Sequence, residues 1–67
     1  MNSEDLLLGK EYQVFDETSS DWDVDCVYLG YDKREEEYMF SVFDGEGFYF
    51  HRLIGFEISD KVRENKG

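Results

Sequence analysis

Apolar and polar residues alternate with a period of two through most of the chain, the pattern of strands that bury one face. Residues 12–15 read as a first strand, followed by a polar loop of turn formers over 17–21. Residues 22–31 read as a second, longer strand. Trp22, Val24, Cys26 and Tyr28 fall on one face, with Asp23 and Asp25 on the other. Further along, Val27, Leu29 and Tyr31 make that second face apolar too, so this strand is expected to bend between two layers. A charged loop over 32–35 leads to a third strand over 38–43, with Tyr38, Phe40 and Val42 inward. Asp44-Gly45-Glu46-Gly47 is the strongest local signal: Asp-Gly between alternating runs marks a tight hairpin, because Gly accepts positive φ. A fourth strand is predicted over 48–52, with Phe48 and Phe50 inward and His51 outward. A fifth is predicted over 56–59, with Phe56 and Ile58 inward and Glu57 outward.

The ends are simpler. Residues 1–8 are a lead-in. Ser3 can cap one helical turn that Gly9 ends; the alternative is an extended segment whose Leu6 and Leu8 cover the core. Residues 60–67 are polar and read as a frayed tail.

This order resembles that of the SH3-like small barrels, including Tudor-type and KOW-type domains. The resemblance spans residues 9–59 and is carried by five short strands, the two polar loops, the Asp-Gly hairpin and the one-turn link at Leu53-Ile54-Gly55. The ALYDY-like and proline-binding signatures of true SH3 domains are missing. The resemblance implies a mainly β fold, a five-stranded, partly open barrel. An open antiparallel sheet with one helical turn is the alternative, and either leaves a sheet edge exposed.

Charge sharpens the functional reading. Seventeen acids oppose seven bases in 67 residues, for a net −10. Residues 11–32 hold seven acids and no base, and the balance from Met1 to Phe50 is −11. Such a surface repels phosphate backbones and anionic membranes, so direct nucleic-acid and membrane binding are not expected, and partners should be basic. With one cysteine there is no intramolecular disulfide, which fits a reducing compartment. The absence of a long apolar run and of a leader pattern adds to the expectation of a cytoplasmic protein. Twelve aromatics supply bulk to a chain this short.

Candidate chemistry is sparse. Asp21, Asp23, Asp25 and Asp32 have the spacing of a calcium loop, but the glycine needed at its sixth position is Cys26. On a regular strand the first three carboxylates share one face about 6.6 Å apart, near the phosphate spacing of a nucleic-acid strand. Cys26 reads as a buried small hydrophobe, and one His with one Cys makes neither a catalytic pair nor a metal set. The expectation is a non-enzymatic protein without metal or cofactor.

The leading reading is therefore an acidic interaction module, an inhibitor or nucleic-acid mimic that binds a basic surface of a nucleic-acid-binding protein. In size, charge and lack of catalytic residues it looks like the small acidic anti-restriction and anti-CRISPR proteins that phages encode. Its contact residues would be Asp16, Glu17, Asp21, Asp23, Asp25, Glu35, Glu36 and Glu37, with Asp44 and Glu46 at the hairpin tip and Tyr31, Tyr38 and Tyr49 as exposed aromatics. The alternative is a Tudor-like adaptor holding a peptide or methylated side chain in an aromatic cage of Trp22 and Tyr28. A homodimer through a sheet edge is compatible with both.

Overall fold

The computed structural model describes residues 1–43 and 45–65. The fold is mainly β: five antiparallel strands form one sheet, with a short helix and 3₁₀ turns. The strands are Glu11–Asp16 (β1), Asp21–Asp32 (β2), Glu37–Phe43 (β3), Phe48–Leu53 (β4) and Val62–Glu64 (β5), in the order β4-β3-β2-β1-β5. The two end strands do not pair, so the sheet is open, as in the alternative reading.

The long β2 holds the sheet together. Its first half pairs with β1, from Asp16↔Asp21 to Glu11↔Val27, and its second half pairs with β3, from Val27↔Ser41 to Asp32↔Glu37. Two irregularities bend it. Tyr12 lies opposite Cys26 but Val14 lies opposite Asp23, so β2 carries one extra residue there, and Asp25 takes φ +59. The second irregularity lies at Gly30, where φ is +121 and any Cβ would come within 3.2 Å of the Leu8 side chain. The bent sheet encloses one core of Leu6, Tyr12, Val14, Cys26, Tyr28, Phe40, Val42, Leu53, Ile58 and Val62. The buried Tyr12 hydroxyl accepts the Leu7 N–H at 2.8 Å, which fastens the lead-in.

The N-terminal turn forms as a 3₁₀ turn over Ser3–Asp5, with Asn2 rather than Ser3 in the cap position. Leu6 is buried there and Leu8 is exposed.

Three expectations need correction. First, β4 is out of phase with its prediction. It pairs Leu53, His51 and Tyr49 with Tyr38, Phe40 and Val42, and directly opposed residues share a face. Tyr49, His51 and Leu53 therefore point inward, while Phe48 and Phe50 are exposed. A one-residue change of phase moves every side chain to the other face.

Second, residues 56–59 are not a strand. Gly55–Glu57 is a 3₁₀ turn that runs into a single helical turn, Ile58–Lys61 (α1). The Glu57 carboxylate accepts the Ile54 N–H at 3.0 Å and receives the Lys61 ammonium at 2.7 Å. Ile58 and Val62, four apart, both reach the core, and Phe56 is left 75% exposed.

Third, the expected tail supplies β5, where Val62, Arg63 and Glu64 pair with Val14, Gln13 and Tyr12. Polar flanks hid one buried valine. Of the hairpin signal, Gly45 has φ +95 as expected, and Asp44 lies outside the described residues.

Candidate functional site

The bulge in β2 breaks the evenly spaced aspartate track. Asp21 stays exposed and its carboxylate accepts the Trp22 N–H at 2.8 Å. Asp25 is held at the surface by Asn65 Nδ2, at 2.6 Å. Asp23 turns inward, opposite the buried Val14, and meets β4. Its Oδ2 accepts the Tyr49 hydroxyl at 2.9 Å and lies 2.6 Å from His51 Nε2.

β2 and β4 are two strands apart, which in a flat sheet is about 9.6 Å. Long side chains on β4 reach across that gap to Asp23, which thereby ties β2 to β4 over β3. Asp16, on β1, completes the group: one ligating atom each from Asp16, Asp23 and His51 lie within 4.8 Å of one another. All three residues are half-buried.

Burial, with the Asp23 hydrogen bond second, pushes the Tyr49 hydroxyl up to about 12. Burial also drives the Cys26 thiol up to about 12, with the Asp23 charge adding to it. A thiol so placed is a poor nucleophile. Its sulfur donates to the Asp23 carbonyl, whereas His51 engages the Asp23 carboxylate.

Several of the remaining acids carry a basic partner. Lys61 engages Glu17 as well as Glu57, Arg52 pairs with Glu37 at 3.6 Å, and Lys10 pairs with Glu64 at 3.7 Å. Glu35 and Glu36 are exposed on the β2–β3 turn, and Glu46 is exposed on the β3–β4 turn. Glu11 and Asp25 compete: a hydrogen bond shared with the Asp25 carboxylate, and its charge, raise the Glu11 carboxyl above its usual range.

A raised carboxyl takes up a proton on folding, so stability falls as pH rises from about 4.5 through the folded value. Glu11→Gln is accordingly expected to give a small rise in Tm over the parent at pH 7. That difference should shrink towards zero below pH 4. Thermal melts at the two pH values check it, and an equal or larger gain at the lower pH would contradict the pairing with Asp25.

The aromatics were expected in other places. Trp22 lies opposite Phe15, on the face away from the core, with the rings 5.6 Å apart. The Arg63 guanidinium covers it at 3.9 Å. Tyr28 is buried on the inner face against Phe40 and Tyr38. The two proposed cage walls therefore lie on opposite faces, and Trp22 already holds a cation of this chain. Of the expected contact tyrosines, Tyr31 is exposed, while Tyr38 and Tyr49 pack against the core.

The phase of β4 instead places Phe43, Phe48 and Phe50 on the outer face, 61%, 71% and 53% exposed. The Phe43 and Phe48 rings are 5.0 Å apart. β4 is an edge strand and carries no acid. Sequence reasoning missed this ridge and the inward His51 together, since both depend on a single choice of phase.

No protein-family model, curated protein or solved structure is significantly similar to this chain. No helix among the described residues is long and apolar enough to cross a membrane.

Proposed function

We propose that the chain is a non-enzymatic interaction module that docks on a basic protein surface, as an inhibitor of a nucleic-acid-binding protein would. The observation that carries this reading is the Phe43–Phe48–Phe50 ridge flanking the β3–β4 turn of a chain with net charge −10. Clustered exposed aromatics are costly in water and are the usual anchors of interfaces. Surrounding acids speed and select encounters with basic surfaces. The antiparallel order puts the β1–β2 and β3–β4 turns at one end of the sheet, so Asp16, Glu17, Asp21 and Glu46 border the same end as Phe43 and Phe48. Imitation of a phosphate ladder by Asp21, Asp23 and Asp25 is not part of the proposal, because the bulge sets Asp25 apart and Asp23 is engaged by Tyr49 and His51.

Capture from a lysate on the immobilised protein tests it. Capture of a basic partner should fall by about tenfold or more between low and high salt and be displaced by duplex DNA. Phe48→Ser should abolish it without altering the circular-dichroism spectrum. Capture that ignores both salt and Phe48→Ser would refute the reading.

A further inference from the structure

Asp16, Asp23 and His51 come from three strands and meet on the inner face. An imidazole nitrogen with two carboxylates is a donor set for a first-row divalent ion, and histidine separates it from an ordinary acidic patch. We propose that these three side chains form a transition-metal site, with Zn²⁺ as its simplest occupant, and that the metal staples β1, β2 and β4 together. The inference is independent of the docking surface.

The geometry fits with little movement. Zinc–nitrogen and zinc–oxygen bonds of about 2.0–2.2 Å put neighbouring ligand atoms about 3.3 Å apart. One ligand atom from each residue already lies within 4.8 Å of the others; His51 Nε2 and Asp23 Oδ2, 2.6 Å apart, need open by less than an ångström as the metal takes the place of the proton between them, which is released to solvent. The Tyr49 hydroxyl steadies the same carboxylate at 2.9 Å, the outer support that metal-binding carboxylates commonly have. The Thr18 N–H holds Asp16 Oδ1 at 2.9 Å.

Charge also favours a cation. Among the described residues neither Asp16 nor Asp23 has a lysine or arginine partner, and the nearby Lys61 is committed to Glu17 and Glu57. A 67-residue chain without a disulfide is the kind of domain that gains most from such a staple.

Titration of the metal-free protein with Zn²⁺ decides the matter. One equivalent should bind saturably, raise Tm progressively with free Zn²⁺, and shift the ring-proton resonances of His51, the only histidine. Co²⁺ should broaden the same resonances. Asp16→Asn and His51→Gln should each weaken binding by at least about tenfold. Asp21→Asn and Cys26→Ala should bind as the parent does. If His51→Gln fails to fold, Asp16→Asn, near the sheet's rim, carries the comparison. The proposal is overturned if the His51 resonances do not move, if Asp16→Asn binds like the parent, or if Ca²⁺ binds as tightly as Zn²⁺.

Discussion

Phe40→Ala is expected to leave a large share of the molecules unfolded at 25 °C. Phe40 is fully buried at the centre of β3, where its ring meets Tyr12 edge-on at 6.3 Å and Tyr28 at 5.3 Å. Emptying such a position costs about 3–5 kcal/mol. A chain of 67 residues has a total stability of roughly 3–10 kcal/mol. The cost is thus a large fraction of the whole, and neighbouring strands cannot collapse into the gap without losing their pairing. Urea unfolding followed by circular dichroism measures it. A midpoint close to the parent's would show that Phe40 does not fill the core as described. Phe48→Ala is the internal comparison, expected within about 0.5 kcal/mol of the parent because Phe48 is exposed.

Ending the chain after Lys61 is expected to be nearly as damaging, although the last residues are polar. The deletion removes Val62, worth about 1.5–3 kcal/mol by burial alone. It strips the pairs Val14↔Val62, Gln13↔Arg63 and Tyr12↔Glu64 from β1, opening a bare edge beside the two buried residues Tyr12 and Val14. The truncated chain should melt at much lower temperature, or show no cooperative melt. Val62→Ala should fall between it and the parent. A truncated chain as stable as the parent would place Val62 outside the core.

The contrast between these two sites shows what alternation can reveal. Strands β1 and β3 follow from period-two patterning, and the buried residues Tyr12, Val14, Cys26, Tyr28, Phe40 and Val42 all lie within predicted strands; in the first half of β2, however, the bulge reverses the expected faces, leaving Trp22 and Val24 outside and turning Asp23 inward. β4 carries two equally good patterns, Phe48 with Phe50 or Tyr49 with His51 and Leu53. The pairing with β3 chooses the one with less hydrophobic bulk, because it brings His51 and Tyr49 to Asp23 and Leu53 to the core. Hydrophobicity alone points the other way.

The bulge at Asp25 has only a faint local mark, the tolerance of aspartate for positive φ, yet it decides which aspartates converge. The acidity was legible in full. Its distribution was not, since whether Glu17 or Glu37 is neutralised depends on Lys61 and Arg52, far away in sequence. Ile58 and Val62, at helical spacing, held the information on how the chain enters β5, but a four-residue helix is too short to announce itself.

Trp22 has one more consequence. It is the only tryptophan, and its ring is covered by Arg63 of the last strand and edged by Phe15 of the first. Its emission therefore comes from the seam where the first and last strands meet. The protein carries a built-in optical reporter for the docking of its final strand, one that responds to detachment of β5 while the rest of the sheet is still paired.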